Sequence, residues 1–286
     1  ALWQFLPHLM RFLFLWALAL TVAEVVSVRS VAIVYATVSL GLLGVATSSL
    51  YRMLYGKFDL KGHGASTNSP VTPPVIVTMW QVASQSWPFG LAGALYLIYF
   101  QSDIILLKYI KGDEAAGLYN VAFVMMTAIY LLPSVVYQKF FMPKFHRWAE
   151  SDLGKLHRVH QSGTRLMFFL GATATIAIWV FTPFGVPYLF GDRYSDAILP
   201  LCVLAVGAPA RFIASSAGAV LTTRHHMKNK LSIMGLAASA NLLMNLLLIP
   251  KYGILGAVGS TVATEVILAF AMQVYTKKVY FRMDGV

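Results

Sequence analysis

Apolar runs of about twenty residues, broken by short polar connections, repeat along this chain. Eight can be drawn, at roughly 9–28, 31–50, 87–109, 116–137, 166–189, 197–223, 231–249 and 253–276. A helix rises ~1.5 Å per residue, so most of these runs reach the ~30 Å needed to cross the hydrocarbon core of a bilayer. The pattern predicts an all-α integral membrane protein with eight transmembrane helices. One long polar segment, residues 55–85, interrupts the series and separates two spans (1–54) from six (86–286). Its centre, Gly62 to Pro70, has the composition of a linker. The apolar stretch Val75 to Ala83 after it, with Trp80, reads as an interfacial helix leading into the third span.

Composition supports this reading. Hydrophobic residues make up 58% of the 286, and charged residues 12%, about half the ~25% usual in soluble domains. Mean hydropathy is +0.69. A formal net charge of +11 would point to nucleic acid if it formed a stripe. The charges instead lie in short clusters between apolar runs, which excludes a nucleic-acid partner. The single cysteine, Cys202, sits inside an apolar run, so neither a disulfide framework nor a metal cluster is available. His157 and His160 lie in a basic segment without a carboxylate or cysteine to complete a metal site. No phosphate-binding loop or Ser/His/Asp constellation is visible, and neither a cofactor nor an enzyme activity is expected. The chain opens at Ala1, already in a near-apolar run, and reads as a fragment whose N-terminal part is absent.

The basic residues set the expected orientation. Of 22 lysines and arginines, fifteen fall after the second, fourth, sixth and eighth spans, and five fall in the intervening connections. By the positive-inside rule the fifteen, and the C-terminus, face the cytoplasm. Lys228 and Lys230 belong to the basic connection after the sixth span.

Charges within spans are the candidates for function. Arg211 is the one charge between Ala197 and Thr223, fourteen residues from Ala197 and thirteen from Arg224. That places it near the bilayer midplane, where a charge costs several kcal/mol unless it meets water, a counter-charge or a ligand. Pro209, two residues earlier, removes a backbone donor at the same depth. Glu265 lies at a matching depth, fourteen residues after Lys251 and twelve before Lys277. It is the candidate ion-coupling residue, alternating between a proton and Arg211, or else it neutralises Arg211 throughout. Asp103 is shallower, placed to pair with Lys108 or to face a cavity. Asn241 and Asn245 share one helix face at i and i+4, suited to interhelical hydrogen bonds or to a ligand.

Local patterns in the later spans resemble a known family. They are Ser102-Asp103-Ile104-Ile105-Leu106, Gly117-Leu118-Tyr119-Asn120-Val121-Ala122 and Leu132-Pro133. Further on come Phe190-Gly191-Asp192-Arg193-Tyr194, Asn241-Leu242-Leu243-Met244-Asn245, Ile249-Pro250-Lys251-Tyr252-Gly253 and Thr261-Val262-Ala263-Thr264. In this order, over residues 86–276, the set resembles the C-terminal half of Wzx-type polysaccharide and O-antigen flippases, relatives of multidrug (MATE) transporters and the lipid II flippase. The resemblance implies about twelve helices in two lobes around a central cavity. Residues 1–54 would be the last two helices of the first lobe, and 86–286 the complete six-helix second lobe.

It further implies a flippase for polyprenyl-pyrophosphate-linked oligosaccharide in the bacterial inner membrane, working by alternating access in O-antigen or exopolysaccharide biosynthesis. Arg211 would hold the pyrophosphate headgroup, with Asp103, Asn241 and Asn245 as further substrate contacts. Membrane lipids, a polysaccharide polymerase and other assembly proteins would be partners. A multidrug or lipid II-type exporter is the alternative of the same architecture. A membrane polysaccharide polymerase or ligase is the alternative of another class, disfavoured by short outer connections.

Overall fold

The computed structural model describes residues 10, 13–14, 28–54, 79–222 and 226–280. The chain divides into two compact units, residues 1–76 and 77–286. In the first, α1 (Val28–Leu54) is the described element; the expected span at 9–28 lies almost wholly outside the described residues.

The second unit holds the rest. Its helices are α2 (Met79–Lys111), α3 (Asp113–Ser134), a π-helical segment (Val135–Phe141), α4 (Met142–Ser151) and α5 (Leu153–Phe190). A 3-10 turn (Asp192–Ala197), α6 (Ile198–Ala205), α7 (Ala208–Val220), α8 (Met227–Tyr252) and α9 (Ile254–Tyr280) complete it. Residues 79–83, read from sequence as part of an interfacial helix within the linker, are continuous with the third span as the first turns of α2. Among the described residues, six helices are long and apolar enough to cross a membrane, or seven if the bent pair before and after Val206–Gly207 is one span. The protein is a multi-pass membrane protein, all-helical over the described residues.

Helix boundaries follow local chemistry. Gly112 takes φ +94°, a left-handed conformation open to glycine, and turns α2 into α3. Asp113 and Glu114 then occupy the first turn of α3, where negative charge complements exposed N–H groups. Asp152 starts α5 by accepting a hydrogen bond from the Lys155 amide at 2.8 Å. Gly253, at φ +58°, makes the turn from α8 to α9.

Two helices depart from regularity, and both border the site described below. Pro133 cannot donate to the carbonyl one turn back, and the chain after it widens into the π-helical segment. The expected single span at 197–223 is broken: α6 and α7 meet at 47° across Val206–Gly207. Here the chain tightens, with Val206 and Gly207 amides donating to Val203 and Leu204 carbonyls at 3.1 and 3.0 Å. Pro209, in the first turn of α7, requires no backbone donor at that position. Arg211 is therefore raised on the first turn of a separate short helix rather than held in the middle of a long one.

The packing is that of a protein in lipid. Phe184 and Tyr188 on α5 are 76% and 88% exposed, while Asp103, Asn241, Asn245, Thr264 and Glu265 are buried. Small residues dominate α7, whose Ala208, Ala214, Ala217, Gly218 and Ala219 are buried and let α5 and α9 approach closely. Gly171 of α5 lies against the α7 start, where an added Cβ would come within 2.6 Å of the Pro209 Cα. Seven residues separate Arg211 from Gly218 and Glu265 from Met272, and each pair faces across α7 and α9. The two helices thus run parallel and in register.

The Gly171 contact gives a stability test. Gly171→Ala overpacks α5 against backbone that has no rotamer to yield, at a cost of about 1–3 kcal/mol. Gly259→Ala, with nothing within 4 Å of its added methyl, leaves stability unchanged or slightly raised. Thermal unfolding of the detergent-solubilised variants checks this; equal midpoints would contradict the close approach.

Candidate functional site

α7 carries Arg211 toward α9 and α3. Its Nη1 lies 3.2 Å from Glu265 Oε1, and the guanidinium sits over the Tyr130 ring, 5.5 Å from the centroid. The two side chains differ in accessibility: 15% for Arg211 and 1% for Glu265. The carboxylate is thus sealed inside the bundle while the guanidinium reaches a cavity. The sequence placed these two residues at matching depth, and the structure brings them together.

That cavity has a volume of about 370 Å³. Arg211, Lys230, Ser215, Thr127, Tyr130, Ser134 and Tyr137 supply its polar lining, with methionines and leucines around them. Tyr137 belongs to the π-helical segment and Arg211 to the turn after the α6–α7 break, so both backbone irregularities aim side chains into this space. Lys230 enters from the first turn of α8, its Nζ donating to the Gly218 carbonyl at 2.9 Å. A guanidinium, an ammonium, hydroxyls and aromatic faces around one opening are the groups that bind an anionic, hydroxyl-rich ligand.

Lys230 was not legible as a site residue, because it stands in a basic connection. One signal was available. Lys228 and Lys230 are two apart and cannot share a helix face; Lys228 is exposed and Lys230 turns inward.

Asp103, Asn241 and Asn245 meet elsewhere and do not line this cavity. Tyr119 Oη and Thr261 Oγ1 each donate to Asp103 Oδ2 at 2.5 Å, and Asn245 Nδ2 donates to Asp103 Oδ1. Asn245 Nδ2 also reaches Asn241 Oδ1 at 3.0 Å, to which Ser102 Oγ donates at 3.5 Å. Asp103, Tyr119, Asn241 and Asn245 are each no more than 1% exposed, so in this conformation no saccharide reaches them. Of the two alternatives for Asp103, the pairing with Lys108 is not formed: Lys108 pairs with Asp113 at 3.1 Å on the exposed helix junction. The i and i+4 asparagines do bond across helices, tying α8 to α2. Asn245 Oδ1 and Asn241 Nδ2 are buried without hydrogen-bond partners. The carboxylate and amide oxygens of this cluster are hard donors, of the type suited to a small cation.

The two clusters are neighbours. Thr261 and Glu265 are one turn apart on α9, and Tyr99 of α2 stands between them, its hydroxyl donating to the Thr261 carbonyl at 3.4 Å and lying beside Glu265. Toward the other end of the bundle, His160, Ser216, Thr164 and Gln273 form a third polar group joining α5, α7 and α9. Among the described residues, no group of three or more His, Cys, Asp or Glu side chains could hold a metal ion.

A family model described as "Polysaccharide biosynthesis protein" matches residues 2–147. The match spans α1 to α3 and the segments around them, and ends before Arg211, Lys230 and Glu265. No curated protein and no solved structure matches the chain.

The Asp103 cluster predicts an asymmetry between two acceptors of similar chemistry. Asp103→Ala removes the acceptor shared by three buried donors and lowers stability by about 1–3 kcal/mol. Asp113→Ala removes a solvent-exposed partner and shifts stability by less than ~0.5 kcal/mol. Unfolding midpoints of the two variants in detergent decide it; equal shifts would contradict the hydrogen-bonded arrangement.

Proposed function

Because this chain belongs to the polysaccharide biosynthesis protein family, we propose that it flips a polyprenyl-pyrophosphate-linked oligosaccharide across the bacterial inner membrane during O-antigen or exopolysaccharide biosynthesis. The observation that carries the reading is a guanidinium within a bundle of membrane-spanning helices, opening on a cavity of about 370 Å³. Arg211 meets the pyrophosphate there, its planar fork matching phosphate oxygens. Tyr130 and Tyr137 give that headgroup aromatic walls. The lipid tail stays in the bilayer, and the sugars extend beyond the cavity.

In this reading residues 86–286 are one six-helix lobe of a two-lobed transporter, and residues 1–54 contribute to the other. The lobes rock about the site in alternating access, and the C-terminus faces the cytoplasm with the basic connections. Asp103, Asn241 and Asn245 contact substrate only in a conformation that opens their cluster. A polysaccharide polymerase receives the flipped unit. The protein makes and breaks no covalent bond itself.

Glu265 is the coupling residue. Protonating it releases Arg211 for the substrate, and ionising it draws Arg211 back. The pair thereby links the headgroup site to the proton gradient.

Two variants test this. Arg211→Ala at preserved expression abolishes export, read as surface polysaccharide in cells carrying the full-length protein; intact export ends the proposal. Glu265→Gln retains binding and loses the response of transport to an imposed pH gradient. A wild type that ignores the gradient would remove proton coupling and leave the headgroup reading in place.

A further inference from the structure

Arg211 and Lys230 line one cavity, but their charges are not equally available. Arg211 is held against the buried Glu265 carboxylate at 3.2 Å and lies over the Tyr130 ring. The two opposite charges sum to zero, so the pair adds no net charge to the cavity wall. Lys230 has a different partner: its ammonium donates to one neutral carbonyl, that of Gly218, at 2.9 Å. Among the described residues no carboxylate pairs with it. Its charge, partly buried at the cavity wall, has no counter-charge among the described residues.

Position adds a second asymmetry. Gly218 lies seven residues, two turns or ~10 Å, beyond Arg211 along α7. Lys230 therefore stands closer to the basic end of the bundle, where α9 ends in Lys277 and Lys278. Its four-carbon stem passes beside α7, where the added Cβ of Gly218 would lie 3.6 Å from both Lys230 Cε and Nζ. A flexible ammonium that gives up a single carbonyl hydrogen bond can move to a ligand at small cost. The guanidinium must first be separated from a buried carboxylate.

We infer that Lys230 is the primary anion-binding residue of this cavity, engaging a diphosphate first, and that Arg211 joins only when Glu265 releases it. The inference deepens the headgroup reading above and rests on it. It reverses the ranking that depth in the membrane alone suggests, since the cavity's net positive charge comes from the shallower residue. It also makes Glu265 a competitor of the ligand, so removing the carboxylate strengthens anion binding.

Binding measured on the whole purified chain in nanodiscs tests this, with three probes: polyprenyl diphosphate, uncharged polyprenol and inorganic pyrophosphate. Lys230→Gln is expected to weaken binding of both diphosphates by about tenfold or more, with Lys230→Arg recovering most of the loss. Arg211→Gln is expected to weaken it less, and Glu265→Gln to tighten it. The inference is overturned if Lys230→Gln binds like wild type while Arg211→Gln loses affinity, which would leave the headgroup reading standing. It is also overturned if Glu265→Gln weakens diphosphate binding while remaining folded by its unfolding midpoint. Wild-type binding of pyrophosphate but not of polyprenyl diphosphate, with Lys230 dependence, supports the inference and removes the lipid-linked substrate. Binding of neither diphosphate overturns both.

Discussion

A charge enclosed in an apolar helical bundle has to be met by another charge, by hydrogen bonds or by water. The interior of this protein is organised by the ways in which four such charges are met. Arg211 and Glu265 meet each other at 3.2 Å across α7 and α9. Asp103 is met by hydrogen bonds from Tyr119, Thr261 and Asn245, drawn from three other helices. Lys230 is met by one carbonyl. The first two arrangements close the bundle around themselves, and the third leaves charge facing a cavity. Packing follows, because helices that share these contacts need close approach, which the small residues of α7 permit.

The irregular backbone serves the same end. A straight helix over 197–223 would place Arg211 by its register alone, at a depth where only a fixed counter-charge could hold it. The break at Val206–Gly207 separates Arg211's orientation from that of α6, so the guanidinium addresses both Glu265 and the cavity. The π-helical segment after Pro133 does the corresponding thing for Tyr137. Both irregularities border the cavity, as expected where regular structure is given up to aim particular side chains.

Much of this was legible in the sequence. Apolar runs of spanning length mark the membrane helices, since the bilayer fixes length and composition more tightly than packing does. The depths of Arg211 and Glu265, counted from flanking charges, anticipate their contact. Asn241 and Asn245, four apart, anticipate a shared face that bonds to another helix. What pattern did not reveal depends on which way a side chain turns. Asp103 stood out as a carboxylate within a span, but its partners come from Tyr119, Asn245 and Thr261, up to 158 residues away, a distance no local spacing encodes. Lys230 reads like its surface neighbours because an inward lysine and an outward one have the same letter. The helix expected before the third span proves to be one with it from Met79, a continuity that the polar Gln81, Ser84 and Gln85 obscured.

Transport of this kind requires a headgroup to enter the cavity between α3, α7 and α8, and in-cell photo-crosslinking measures that entry directly. A photoreactive residue in place of Ser134, on the cavity wall, should capture a polyprenyl-linked saccharide in cells that make one. The same residue in place of Phe184, 76% exposed on the outer face of α5, should capture bulk membrane lipid alone. Equal capture of the saccharide at both positions, or capture at Phe184 and none at Ser134, would contradict the account.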